Sequence, residues 1–231
     1  MSSDFESQAL AGLYPFLAGE RGGDARQLDA ALLQSLHLKA SESVEVKRRF
    51  FAENGDTILA TARAIAGVYR AGGRLFTMGN GGSSCDAAHI AVEFQHPVTT
   101  GRPALAATNL ADNIAVITAV GNDVGFKQVF LRQVIAQVHA GDGLIGVSTS
   151  GNSENLLAAF AAAKERGAVT IGLAGGDGGR MALHPSIDHC LVVRSDSIHR
   201  VQETHVALYH ILWDLTHTLL ADHRWPAVKA G

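Results

Sequence analysis

The stretch Leu144-Ile145-Gly146-Val147-Ser148-Thr149-Ser150-Gly151-Asn152-Ser153 decides the fold. Its opening residues carry no polar side chain at any position, the pattern of a parallel strand covered on both faces rather than of a sheet edge facing water. It then breaks into hydroxyls and a glycine just before a helical pattern over 153–166. The same unit occurs earlier, where the run 74–78 ends in Gly79-Asn80-Gly81-Gly82-Ser83-Ser84 and a helical pattern follows over 84–95. Further strands are predicted at 104–107, 169–174 and 190–193, and further helices at 111–120, 125–139 and 199–222. Short apolar runs alternating with helical patterns are the signature of βαβ units, so a three-layer α/β architecture with a five-stranded parallel sheet is expected.

Upstream of residue 74 the period is different. Leu28, Leu32, Leu33 and Leu36 form one helical stripe, and Ile58, Ala62, Ile65, Val68 and Tyr69 form another, closed by Ala71-Gly72-Gly73. The chain thus reads as an N-terminal helical arm over 1–44, its first 20 residues loosely tied, followed by the α/β domain over 45–231.

Composition removes several classes. Hydrophobic residues at 47% against 18% charged leave enough apolar surface for a sizeable core, which excludes a disordered tail. The 25 glycines keep no three-residue period, which excludes a collagen-like chain. Nineteen basic against 22 acidic side chains, with no block of one sign, give no basic stripe for nucleic acid. The two cysteines, Cys85 and Cys190, are too few for a disulfide framework. The start Met-Ser-Ser-Asp-Phe-Glu lacks the basic and apolar regions of a signal peptide, and no stretch approaches the ~18 apolar residues of a membrane helix. A soluble, cytoplasmic protein is expected.

Two loops carry the first chemical signal. Gly79–Ser84 lets the backbone come close to a ligand, and free N–H groups at the following helix start attract an anion. It is neither a Walker A loop, since no Gly-Lys-Ser/Thr follows, nor a dinucleotide fingerprint, since Ser84 stands at the last glycine. Ser148–Ser153 offers four hydroxyls and no basic side chain, which suits a phosphate held by neutral donors and a helix terminus. Either loop alone could be a tight turn or a helix cap. Both lie after strands, at the sheet edge where open α/β folds bind ligands, which points to a phosphorylated small molecule.

His89 and Glu93 are four residues apart on the first helix, hence on one face, and could bind a metal or transfer a proton. Five of the 11 histidines fall in or beside the last helix. Among them His210 shares a broad face with both Gln202 and Glu203, and spacing leaves open which of the two joins a site.

Taken together, Gly79-Asn80-Gly81-Gly82-Ser83, Cys85-Asp86-Ala87-Ala88-His89, Gly121-Asn122-Asp123, Ser148–Ser153, Gly175–Gly179 and Val201-Gln202-Glu203-Thr204-His205 resemble the sugar isomerase (SIS) domain proteins, most closely the phosphoheptose isomerases, over about residues 45–222. The resemblance implies a flavodoxin-like sheet, a homotetramer with active sites at subunit interfaces, and one zinc ion per subunit. By position it implies that Asn80, Gly81, Gly82, Ser83, Asn122 and Asp123 contact substrate and that Ser148, Thr149, Ser150 and Ser153 cradle the phosphate. His89, Glu93, Gln202 and His210 match the metal positions, Gln202 and Glu93 also touching substrate, and Glu93 with His210 match the acid/base pair. The family's arginine four residues after the glutamate is replaced by Pro97, with His96 and Arg102 the nearby basic side chains.

The activity so implied converts sedoheptulose 7-phosphate to D-glycero-D-manno-heptose 7-phosphate by moving a proton through an enediol, as part of heptose biosynthesis. Burial on an apolar helix would raise the Glu93 pKa and a bound metal would lower it. Two alternatives accompany this reading. One is a non-enzymatic phosphosugar-binding or replication-initiator-associating relative, a group that lacks the glutamate and last histidine kept here. The other, raised by Pro97, is an isomerase of a different sugar phosphate.

Overall fold

The computed structural model describes residues 25–99 and 101–221. The described residues divide into two units, with the boundary between residues 41 and 42. Helix α1, Ala25–Arg70, begins in the first and continues through the start of the second. Within the first unit Leu28, Leu32, Leu33 and Leu36 are all more than half exposed. The first 24 residues of the expected arm lie outside the described residues.

The larger unit contains β1 (Leu75–Gly79), α2 (Gly82–Gln95), β2 (Ala107–Asn109), α3 (Ile114–Asp123), a 3-10 turn (Phe126–Gln128), α4 (Leu131–Gln137), β3 (Gly143–Ser148), α5 (Glu154–Glu165), β4 (Val169–Gly175), β5 (His189–Val193) and α6 (Ile198–Ala221). The five strands form one sheet in the order β2-β1-β3-β4-β5, and all four pairings are parallel. This is the flavodoxin-like doubly wound order.

Alternation along the strands divides the core. Leu75, Ile145, Val147, Ile171, Leu173, Leu191 and Val193 face one way, onto Ile58, Ala62 and Ile65 of α1, Ile90 and Phe94 of α2, and Val201, Leu208 and Leu212 of α6. Phe76, Met78 and Leu144 face the other way, onto Val134 of α4 and Leu156, Phe160 and Ala163 of α5. Both faces are therefore dry, which is why β1 and β3 read as unbroken buried runs.

Several boundaries differ from the sequence reading. The strand expected at 104–107 is Ala107–Asn109, a short edge strand that pairs with β1 alone. The helix expected at 111–120 starts at Ile114, because Asn109 and Asp112 form a side-chain-bonded turn and Asn113 caps Val116 N–H. The helix expected at 125–139 is split into the 3-10 turn and α4. The two N-terminal stripes lie on one uninterrupted helix.

Candidate active site

The chain leaves β1 toward β2 on one side, while β3 pairs on the other side, so the crevice between β1 and β3 is the topological switch point. Register pairs Gly79 with Val147, which brings Asn80 and Ser148 out side by side at the carboxyl edge. The two loops singled out by sequence thus flank the ligand crevice of the fold.

The second loop is closely built. Ser148 Oγ and Ser153 Oγ are 2.9 Å apart, and Ser153 spends its hydroxyl there rather than on capping α5. Ser148 is buried, Thr149 and Ser153 half-buried, and Ser150 exposed. The Gly175–Gly179 segment packs directly on this loop. A Cβ at Gly151, whose φ is +65°, would stand 2.0 Å from the Gly178 carbonyl oxygen, so no side chain fits. Met181 N donates to Gly151 O, and Arg180 N to Asn152 Oδ1. Hydroxyls, turn amides and the α5 N-terminus together suit an anion.

The first loop opens α2, which lies alongside α6. A Cβ at Gly82 would meet Gln202 Nε2 at 2.4 Å, so the glycine makes room for that amide. Further along, the two helices bring three sequence-predicted residues into one cluster. His89 Nε2 lies 3.1 Å from Glu93 Oε1, and His210 Nε2 lies 3.8 Å from the same oxygen. The ligand atoms of His89, Glu93 and His210 all fall within 4.8 Å of one another. Two imidazole nitrogens and a carboxylate oxygen at that separation fit a divalent transition-metal ion. The Glu93 side chain is 18% exposed and that of His210 42%, so solvent reaches the cluster from the imidazole side.

Two residues that sequence reading left without a role hold this cluster, and a third, Asp86, lies near it. Tyr209 Oη is 2.7 Å from His89 Nδ1, and its ring stands edge-on to both His89 and His210. Burial, with the charges of Asp86 and Glu93, raises the Tyr209 pKa, so the hydroxyl stays protonated. Trp213 Nε1 donates to the Glu93 carbonyl at 2.8 Å. Asp86 is buried one turn before His89, and burial pushes its pKa up to about 6 against the pull of His89. Its Oδ2 has no hydrogen-bond partner among the described residues.

Other predicted residues stand apart from the cluster. Asn122 and Asp123 are exposed at the end of α3 and bonded to each other at 2.8 Å. Asn80 pairs with Asn155, while Ser83 is buried at the start of α2. Arg102 stacks on the Trp213 ring with its guanidinium carbon 4.4 Å from the centroid and bonds Asp214. His96 is exposed at the end of α2.

A parallel sheet of this order, with a hydroxyl loop at its switch point and a His/Glu cluster between α2 and α6, is the architecture of a SIS domain. The SIS domain family model matches residues 40–175, and the chain belongs to that family. Among curated relatives, the phosphoheptose isomerase of Solidesulfovibrio magneticus is 42% identical over 174 residues, covering 75% of this chain and 84% of its own length. That of Thermodesulfovibrio yellowstonii is 41% identical over 188 residues, covering 81% and 92%. The solved phosphoheptose isomerase from Francisella tularensis superposes with TM-score 0.77 at 33% identity, covering 80% of this chain and 98% of that one. Within the SIS proteins, the chain belongs to the phosphoheptose isomerase family.

Proposed function

We propose that this protein interconverts sedoheptulose 7-phosphate and D-glycero-D-manno-heptose 7-phosphate, an aldose–ketose isomerisation in heptose biosynthesis. The observation that carries the reading is the pairing of Glu93 and His210, from two different helices, in a chain that also builds a hydroxyl-lined anion loop. Moving a proton between adjacent carbons needs a base on one carbon and an acid for the oxygens, and it leaves an oxyanion to be stabilised. Glu93 takes the carbon proton. His210, across from it, moves the proton on the oxygen side. Ser148, Thr149, Ser150 and Ser153 anchor the phosphate, which fixes the sugar chain relative to Glu93. Asn80, Gly81, Gly82, Ser83, Asn122, Asp123 and Gln202 contact the remaining groups of the substrate.

His89, Glu93 and His210, with Gln202 as fourth ligand, would hold one zinc ion per subunit. A zinc ion held there would supply Lewis-acid polarisation of the substrate carbonyl. The protein acts as a cytoplasmic homotetramer, with residues 45–231 as the catalytic domain and 1–44 as an arm. One observation supports assembly: α3 is rich in apolar residues, yet none of them is fully buried and Ile114 is exposed. Among the described residues no helix is long and apolar enough to cross a membrane.

Pro97 favours a second reading, an isomerase of another ketose phosphate, because Arg102 is already engaged by Asp214 and Trp213. Purified protein incubated with sedoheptulose 7-phosphate, and in parallel with shorter ketose phosphates, is read by NMR for the aldose product. Turnover of the heptulose supports the first reading. Turnover confined to a shorter sugar supports the second, and none with any of them removes both.

A further inference from the structure

The proposed reaction divides its work between two loops. Phosphate is held after β3, whereas the proton-transfer groups follow the loop after β1 on α2. The placement of Asn80 relative to the phosphate is therefore set by how these two loops are tied together. They are tied by a reciprocal amide pair: Asn80 Nδ2 donates to Asn155 Oδ1 at 2.9 Å, and Asn155 Nδ2 donates to Asn80 Oδ1 at 2.8 Å.

The two partners are not equivalent. Asn155 is 3% exposed, in the first turn of α5. Its Oδ1 also accepts from Leu156 N–H at 3.1 Å, and Leu156 itself is fully buried in the core behind the sheet. Asn80 is only half-buried, at the mouth of the crevice. A carboxamide has one oxygen and two N–H groups. In a reciprocal pair each amide uses its oxygen and one N–H, so each keeps one N–H. Asn155 is buried and Asn80 only half-buried, so of the two it is Asn80 that a ligand in the crevice can reach.

We infer that Asn155 is a positioning residue: through this pair it fixes the Asn80 amide so that Asn80 meets a substrate oxygen as a hydrogen-bond donor, while locking the phosphate loop to the loop that opens α2. The inference rests on the phosphosugar reading above. It gives Asn80 a definite orientation, since its oxygen is turned to Asn155 Nδ2 and its second N–H is left for a substrate oxygen. A buried amide pair left half-satisfied is also strongly disfavoured, which holds the orientation against a flip.

A double-mutant cycle of Asn80→Ala, Asn155→Ala and both together, assayed for kcat and KM, tests it. Misplacing a binding group by about 1 Å can lower rate about 100-fold, so Asn155→Ala is expected to lower kcat/KM by about 10- to 100-fold. The double variant should be no worse than the poorer single one, because both changes remove the same contact. Asn155→Asp provides a check that keeps side-chain volume: the carboxylate still accepts from Asn80 and Leu156 but donates nothing back, and kcat/KM should again fall at least about tenfold. Inhibition by inorganic phosphate is measured alongside. If phosphate fails to compete in the unaltered enzyme, the cradle reading fails. If phosphate competes but folded Asn155→Ala or Asn155→Asp keeps normal kcat/KM, or the single effects add in full, Asn155 is merely structural and the inference is overturned.

Discussion

Tyr209 Oη lies 2.7 Å from Nδ1 of His89, while the other nitrogen of the same ring, Nε2, lies 3.1 Å from Glu93 Oε1. A neutral imidazole carries one proton, so these contacts are linked. With the proton on Nδ1, it is donated to the Tyr209 oxygen and Nε2 offers a lone pair to the cluster. With the proton on Nε2, it goes to Glu93 and Nδ1 accepts from the tyrosine hydroxyl. Tyr209 satisfies both arrangements, and a metal on Nε2 selects the first.

Tyr209→Phe removes the hydroxyl alone. Loss of a partner that orients a metal-binding histidine typically costs 10- to 100-fold in metal affinity. Zinc affinity, measured by competition with a chromophoric chelator, is expected to fall by about that factor. Unchanged zinc affinity in folded Tyr209→Phe would show that the ring packing, not the hydroxyl, orients His89.

The phosphate loop gives a second test. Ser150 is exposed at the tip of the loop, its Oγ 3.3 Å from Asn152 N. Ser150→Asp sets a carboxylate where a phosphate dianion is to sit, and juxtaposed like charges cost up to several kcal/mol, less where water screens them. Apparent substrate affinity should drop at least about tenfold, with little change in melting temperature because the site faces solvent. Normal KM in this variant would remove Ser148–Ser153 as the cradle.

How far the site could be read in advance depended on the range of each contact. β1 and β3 were legible because both faces are buried and every position is apolar, small or Thr77. His89 and Glu93 were legible because one helix presents both at a spacing of four. The strand expected at 104–107 differs because an edge strand with one neighbour needs only three ladder residues, and Leu105 N bonds Phe94 O of α2 instead of the sheet. Tyr209 and Trp213 were invisible as site residues because they act on His89 and Glu93 across 120 positions. Asn155 acts on Asn80 across 75. On sequence alone they read as ordinary core residues of an amphipathic helix. Gly175–Gly179 was legible as a motif, but its purpose, close approach to Gly151, is purely three-dimensional.

Assembly is testable from α3. Ile114 is 70% exposed, and Val124 and Phe126 just beyond the helix are each 59% exposed, an apolar surface that a monomer would leave in water. Light scattering at micromolar concentration is expected to give a mass near four times the 24.3 kDa of the chain. A 24.3 kDa particle would mean that no neighbour completes the site.

His205 makes stability depend on acidity. It is fully buried on α6, with Nε2 3.0 Å from the Ala174 carbonyl at the end of β4. Burial pushes its pKa down to about 4, outweighing the carbonyl bond. A histidine whose folded pKa lies below its unfolded value near 6.5 is neutral in both states at pH 7 and contributes no pH dependence there. As pH falls from about 6.5 toward 4, the unfolded chain takes up the proton and the folded one does not, so stability drops, by up to roughly 3 kcal/mol. Asp86, with its pKa raised to about 6, works in the opposite sense, gaining stability as pH falls through the same range. Comparing melting temperatures of the unaltered protein and His205→Gln isolates the histidine. The acid-side loss should be smaller in the variant, and parallel curves from pH 7 to 4 would refute the assignment.

The chemistry is tested most directly at Glu93. Glu93→Gln keeps the size of the side chain and its place beside His89 and His210, but removes the proton acceptor. General-base catalysis contributes about two to four orders of magnitude, and turnover should fall by that much while substrate still binds through the phosphate loop. His210→Asn should have a comparable effect if His210 serves the oxygens. Glu93 is also a proposed metal ligand, so each variant needs its zinc content measured: a loss of turnover with zinc retained is the loss of a proton acceptor. Chelation separates the remaining possibilities. If the ion polarises the carbonyl, removing it abolishes turnover and adding zinc restores it; if it only braces α2 against α6, its removal lowers the melting temperature with little direct effect on the chemical step. Near-normal isomerisation by Glu93→Gln would dismiss both, because no other carboxylate joins His89 and His210 in the cluster found among the described residues.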